Sequence, residues 1–402
     1  MKVRRATKLQ NVRYDIRGPA TTLAIRMEQE GIPVINLNTG NPAAFGFKPP
    51  NYSAVLEEQM QLAAAYSASK GLTNAREAIA AYESGKGLKN VLTENVYTGN
   101  GVSELIVMCM QALLDEGDEV LIPTPDYPLW TAAVRLAGGV AVHYVCNEED
   151  SWYPDMDDIK SKVSPRTKAV VIISPNNPTG AVYPREILEG FCDLAQRNEL
   201  LIFSDEIYDR MLLDDNKHIA VGSITPDLPV ITMNGLSKSH KLCGYRSGWM
   251  VLSGNLSGLE EYIEGINVLA SMRLCSNVNA QVIIPAALQD AHFANEHLLP
   301  GGRLYEQRES AYRGLSGIPG ISVVKSKAGL YMFPKMDTEK FGIKDDERLV
   351  FDLLKQKHVL LTHGGSYNWP APDHFRMVYL PEKEVLDDVI ERLRDFFANY
   401  SQ

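Results

Sequence analysis

Between about residues 90 and 290 the chain alternates short unbroken apolar runs with stretches whose apolar positions recur at helical spacing. "EVLIP" precedes a helical pattern over Tyr127–Ala137; "VAVHYV" and the polar-apolar "DMDDIKSKV" follow. "KAVVIIS", a helix from about Pro184 to Arg197, "LLIFS" and "PVITMNGLS" continue the rhythm. Continuous apolar strands separated by helices predict a mostly parallel sheet covered on both faces, an α/β architecture. Such sheets bind ligands where loops leave the carboxyl ends of the strands. After about residue 290 the pattern changes. A helix from Arg303 to Leu315 leads to "ISVV", "GLYMFP", a helix near Asp346–Lys357, "VLLT", "FRMVYL" and a last helix from Glu382, which together predict a smaller α+β domain. The first forty or so residues, with "TTLAIRMEQEG" and "VINLNTGNP", are too few to fold alone. The expected organisation is therefore a segment 1–47 packing with a small domain at 291–402, and a large domain at 48–290.

Composition narrows the function classes. The 402 residues are 45% hydrophobic and 22% charged, ordinary for a globular chain. A formal charge of −10 argues against nucleic acid or an anionic membrane as the main partner, so an anionic ligand needs a local pocket of arginine and lysine. The five cysteines form no C-x-x-C pair, which suits a reducing compartment and speaks against a structural zinc site; no metal is expected. No apolar stretch follows the basic "MKVRRATKLQ", and no run approaches the roughly 18 residues of a spanning helix. The expectation is a cytoplasmic protein.

Polar clusters at the predicted strand ends carry the chemistry. In "NGLSKSHKLCGYRSGW" Lys238 lies between two strand-like runs, with Ser237 before it and Arg246 eight positions on. A loop lysine is ordinarily a solvated charge. The other reading is a Schiff-base nucleophile whose amine is kept partly deprotonated by burial or by a nearby cation, with Arg246 able to fork onto a phosphate. In "SDEIYDRM" Asp205 ends an apolar run, either as a helix N-cap or as the partner of a protonated heterocyclic nitrogen. On the second reading, Tyr208 reaches a ring oxygen from the same turn. "SPNNPTG" is a tight turn, or a source of amide donors with Asn177 foremost. "TGNGVSELI" places Gly99 and Gly101 before a helix starting near Val102, where backbone amides and Ser103 make a phosphate cradle. The third glycine of a dinucleotide fingerprint is missing, and no P-loop is present. Tyr127 in "PTPDYPLW" either packs in the core or stacks on a flat ring. Lysine, carboxylate, ring-oxygen donors, aromatic and phosphate cradle together form a kit suited to pyridoxal phosphate.

With these motifs in this order, the chain resembles the class I/II aminotransferases of the aspartate aminotransferase fold (fold type I), from "NLNTGNP" to "HFRMVYL". The resemblance implies Lys238 as the lysine that holds the cofactor, Asp205 at the pyridine nitrogen, and Tyr208 with Asn177 at the ring oxygen. It also implies Tyr127 stacked on the ring, and phosphate contacts from Gly101, Val102, Ser103, Ser237 and Arg246. Arg376 in "HFRMVYL" corresponds to the arginine that clamps a substrate α-carboxylate, and Gly40 in "NTGNP" lines the substrate pocket. Tyr66 in "YSASKGL" resembles the tyrosine that reaches the neighbouring subunit's phosphate, which implies a homodimer with shared active sites. Lys241 and Ser247 depart from the class pattern, which prefers small or apolar residues there.

Within the class, "VRYDIRGP", "YSASKGL" and "NWPAPDHFRMVYL" are similar to the bacterial alanine-forming glutamate–pyruvate transaminases. The implied reaction is ping-pong transfer of an amino group between L-alanine and 2-oxoglutarate, giving pyruvate and L-glutamate. Aspartate or aromatic aminotransferase activity, or a pyridoxal phosphate C–S lyase, are the alternatives. A pocket taking both alanine and glutamate needs a movable cation for the second carboxylate. Arg17, beside Tyr14 in the N-terminal segment, is preferred to Arg273 for that role. His363 and Trp369 are expected to pack and not to touch substrate.

Overall fold

The computed structural model describes residues 3–10, 12, 14–290 and 295–402. Its centre is an eight-stranded sheet of β1 (Val96–Asn100), β2 (Glu119–Thr124), β3 (Val140–Asn147), β4 (Tyr153–Pro154), β5 (Thr167–Ile173), β6 (Leu201–Asp205), β7 (Val230–Gly235) and β8 (Ser247–Ser253). The spatial order is β1-β8-β7-β6-β5-β2-β3-β4. The run β7-β6-β5-β2-β3 is parallel, whereas β8 is antiparallel to both β7 and β1. The expected α/β sheet is present.

Alternation along the strands divides the core in two. On β5, Ala169, Val171 and Ile173 face one apolar layer, while Val170 and Ile172 face the other. On β6, Leu201 and Phe203 join the first layer and Ile202 the second. Both faces are covered by helices, so the strands read as unbroken apolar runs. Removing a ring such as that of Phe203, fully buried against Trp130, costs about 3–5 kcal/mol.

Register explains why the polar motifs converge. Ile173 of β5 pairs with Asp205 of β6, and Asp205 pairs with Met233 of β7. The segments leading to Asn177, Tyr208 and Lys238 therefore leave neighbouring strands at one level. Because β8 runs the other way, it begins there, with Ser247 opposite Asn100 and Gly248 opposite Gly235.

The predicted helices appear as Leu129–Leu136, Met156–Lys162, Arg185–Asn198, Arg303–Ser316, Asp346–Lys357 and Lys383–Asn399. The C-terminal strands are shorter than the apolar runs suggested: "ISVV" yields the two-residue Ile321–Ser322 and "GLYMFP" the two-residue Tyr331–Met332. The apolar residues around them are buried by helices instead of by a long ladder. Ile35–Asn36 of the N-terminal segment pairs in parallel with Val359–Leu360, and Leu37 accepts from the Val378 amide at 3.0 Å. Ala24, Met27, Leu37 and Phe47 share one apolar cluster with the C-terminal residues.

Candidate active site

The strand ends open into a cavity of about 580 Å³. Every predicted site residue lines it except Gly101 and Tyr66.

Lys238, half-buried, projects into the cavity beyond β7, and its Nζ donates to the Gly40 carbonyl oxygen at 2.6 Å. The Cys243 thiol lies 4.0 Å from the same nitrogen and donates to the Ser237 carbonyl at 2.9 Å. Asp205 is fixed at the end of β6. One carboxylate oxygen accepts from the Trp130 indole at 3.1 Å and the other from the Ile207 amide at 3.4 Å. Burial pushes this carboxyl up to about 6, with the Trp130 and Ile207 hydrogen bonds opposing. Tyr208 is buried in the turn after β6, and its hydroxyl donates to that of Tyr331 at 2.8 Å. Burial, reinforced by Tyr331, holds the Tyr208 phenol well above its ordinary range, so it remains a proton donor.

At the other wall, Arg246 has left-handed φ (59°) and its guanidinium donates to the Cys243 and Asn100 carbonyls at 3.0 and 3.3 Å. Gly101 lies just behind the cavity wall and donates its amide to the Arg246 carbonyl at 2.8 Å. Its φ is 76°, and a Cβ there would sit 2.1 Å from the Arg246 guanidinium, so only glycine fits. The helix that starts at Val102 has no side-chain cap, which leaves its first amides open beside Ser103, Ser237 and Arg246. Tyr127 stands over this wall, its hydroxyl 2.9 Å from that of Tyr14.

Arg376 is buried opposite. Its guanidinium donates to Asn177 Oδ1 at 3.1 Å and to the Asn38 carbonyl, and lies over the rings of Tyr331 (4.2 Å) and Tyr367 (4.8 Å). Its Nε is buried without a partner. Arg17 lines the cavity and is solvent-exposed. Arg273 lies outside the cavity lining: it pairs with Glu104 and donates to the Ser69 and Thr98 carbonyls at 3.1 and 2.7 Å. Tyr66 is 80% exposed and does not line this cavity.

The chain matches the family model of the class I and II aminotransferases over residues 32–393. It belongs to that family. The Haemophilus influenzae glutamate-pyruvate aminotransferase AlaA is 52% identical over 399 residues, 99% of each chain. A crystal structure of an aminotransferase from Escherichia coli superposes with a TM-score of 0.99 at 50% identity and covers all of both chains. The alanine aminotransferase of Pyrococcus furiosus superposes with a TM-score of 0.92 at 38% identity, over 98% of this chain and 100% of its own.

Pyridoxal phosphate is the cofactor of this family, and the residues fit it. An uncapped helix start beside a guanidinium, closed by glycines that admit no Cβ, suits a phosphate. A buried carboxyl raised by desolvation suits a cationic ring nitrogen. Among the described residues, no helix is long and apolar enough to cross a membrane, and no group of three metal-ligating side chains occurs.

Several cavity residues escaped the sequence reading. Tyr331 sat inside an apparent strand, and only its position beside Tyr208, Gly40 and Arg376 singles it out. Cys243 looked like one scattered thiol among five. The two departures from the class pattern have local explanations. Ser247 donates from a buried site to the Ala280 carbonyl at 3.1 Å, and Lys241 occupies a left-handed turn (φ 60°), where burial lowers its amine to about 8. His363 and Trp369 lie outside the cavity lining, the first hydrogen-bonded to Ser366 and the second packed against Trp152, Phe333 and His374.

Proposed function

We propose that the enzyme exchanges an amino group between L-alanine and 2-oxoglutarate, producing pyruvate and L-glutamate by a ping-pong mechanism. The observation that carries the reading is the convergence of Lys238, Asp205 and Arg376 on one cavity, with Arg17 at its exposed side. The relatives named for glutamate–pyruvate and alanine transamination support the choice of substrates.

Pyridoxal phosphate, when bound, supplies the aldehyde carbon that accepts the amino group and a ring that withdraws electrons from the substrate α-carbon. Lys238 holds the cofactor and, once freed, takes the proton from the substrate α-carbon. Asp205 keeps the ring nitrogen protonated, and Tyr208 with Asn177 donates to the ring oxygen. Tyr127 covers the ring face. Gly101, Val102, Ser103, Ser237 and Arg246 hold the phosphate. Arg376 clamps the substrate α-carboxylate and so aligns the bond to be broken. Gly40 leaves room beside it. Arg17, with Tyr14, turns toward a second carboxylate when glutamate occupies the pocket and toward solvent when alanine does.

The same reading includes a homodimer in which Tyr66 serves the other subunit's phosphate. Tyr66 (80%), Met60 (64%), Met272 (75%) and Leu274 (52%) are exposed, and Arg273 ties its own segment to that of Ser69. Exposed large apolar groups on segments joined in this way suit an interface. The same reading keeps segment 1–47 packed with a small domain at 291–402 beside a large domain at 48–290, with the cytoplasm as the working compartment.

The test is spectroscopic. The purified enzyme, loaded with pyridoxal phosphate, is mixed with L-alanine or L-glutamate and no 2-oxo acid. Both donors are expected to convert the visible band to that of pyridoxamine phosphate. Conversion by glutamate and an aromatic donor, but not by alanine, overturns the assigned substrates and retains the transaminase.

A further inference from the structure

The turn after β6 sends its side chains in two directions. Asp205 and Tyr208 line the cavity, while Glu206 and Asp209 are buried on the other side, in a group of charges centred on Lys86. Lys86 caps the helix α1 (Thr73–Gly85). Its Nζ lies 2.8 Å from Glu83, 2.8 Å from Glu206 and 3.1 Å from Asp209.

Each carboxyl is tied to a different part of the fold. Glu206 accepts from Ser204 Oγ at 2.9 Å and the Val221 amide at 3.1 Å, and lies 2.9 Å from His218 Nε2. Asp209 accepts from Tyr82 at 2.5 Å and from the Asn234 amide group at 2.7 Å. Glu83 accepts from the Trp249 indole at 2.9 Å. Arg210 donates to the Tyr82 hydroxyl at 3.0 Å and completes the group. Asn234 is four residues before Lys238 on the strand that delivers it. One ammonium therefore joins helix α1, the Asp205–Asp209 turn and the end of β7.

Three carboxyls surround one lysine. Burial raises the Glu83 carboxyl, with Lys86 opposing and Glu206 and Asp209 adding to the effect. Burial acts the same way on Glu206 and Asp209, but Lys86 and His218 outweigh it and keep both ionised. Breaking a buried pair on one side leaves an uncompensated charge, so the turn cannot rotate without losing its partner.

We propose that Lys86 is a positioning residue for transamination: by clamping Glu206 and Asp209 it sets the directions in which Asp205 and Tyr208 meet the cofactor, in register with Lys238. The inference rests on reading the cavity as the pyridoxal phosphate site.

The test compares wild type with Lys86→Met, Lys86→Arg and Asp209→Ala, each checked for folding by circular dichroism. Two quantities are read: the rise in melting temperature on adding pyridoxal phosphate, and the pH midpoint of the visible band of the loaded enzyme. Lys86→Met is expected to bind the cofactor about tenfold more weakly and to move the midpoint by about one pH unit. Lys86→Arg keeps the cation and is expected to recover both. Should Lys86→Met fail to fold, Asp209→Ala releases Asn234 from the turn while Lys86 keeps Glu83 and Glu206, and the same two shifts are expected. Folded variants with wild-type affinity and midpoint overturn the proposal. A wild-type enzyme that develops no visible band overturns the cofactor reading as well, so the two failures are distinct.

Discussion

The Lys238 amine donates to the Gly40 carbonyl at 2.6 Å, across 198 residues of chain. The contact parks the amine inside the cavity without burying it against a carboxylate. The same glycine sits against Tyr331, whose hydroxyl would be 2.0 Å from an added Cβ and whose ring carbons would be 2.7 and 2.9 Å away. Gly40, Tyr331 and Tyr208 thus form one wall, made from three distant segments.

Lys238→Ala removes both the tether and the proton carrier. Half-transamination of L-alanine is expected to slow by about 10⁴-fold, the upper end for loss of a general base. Single-turnover absorbance measurements check this. Rates within tenfold of wild type would remove Lys238 from the reaction.

Asp205 gives a pH signature in the cofactor-free enzyme. Burial raises its carboxyl from 3.8 to about 6. A carboxyl raised by folding stabilises the folded chain below pH 3.8, and that contribution is lost as pH rises through about 6. Asp205→Asn should therefore be the more stable protein at pH 7.5, by up to about 3 kcal/mol, and the advantage should fade toward pH 4. Added pyridoxal phosphate should stabilise wild type more than the variant. Calorimetry at several pH values checks both, and a pH-independent gap would contradict the account.

Arg17→Ala should separate the two substrates. The loss of a charge-assisted hydrogen bond to the distal carboxylate predicts a fall of about tenfold or more in kcat/KM for glutamate, with alanine little changed. Equal kinetics for both substrates after the substitution would exclude Arg17 from that role.

Gly40→Ala should displace the Tyr331 ring and lower activity, and Tyr331→Phe should not rescue it, because the ring carbons still clash. Tyr331→Phe alone costs the Tyr208 hydroxyl its acceptor, about 1 kcal/mol of stability. Steady-state kinetics of the single and double variants decide the matter. Full rescue would show that the hydroxyl alone shapes the wall.

Mixed dimers test Tyr66. If it serves the partner's phosphate, a Tyr66→Ala subunit and a Lys238→Ala subunit combine into a dimer with one intact site, and mixing two feeble preparations restores activity. No recovery in a dimer verified by light scattering would place the function of Tyr66 elsewhere.

The sheet was readable because strands buried on both faces must be apolar at consecutive positions, as in "KAVVII" and "LLIF". The strand-end residues Lys238, Asp205, Asn177 and Arg246 were readable because their chemistry has little use in a loop unless something is bound there. Local pattern favoured Arg17 over Arg273 beside the site, but the ion pair that holds Arg273 against Glu104, far along the chain, was visible only in the tertiary structure. Tyr331 and Lys86 were silent for a related reason. A tyrosine in an apolar run and a lysine after a helix look like core and surface, and only long-range packing brings one onto Tyr208 and Arg376 and the other among three carboxyls. Periodicity records which face of an element is buried, whereas the partner across the interface depends on register and on how distant elements dock. The sequence alone therefore determined the strands, the chemical kit and the family; the tertiary structure decided which residues hold that kit in place.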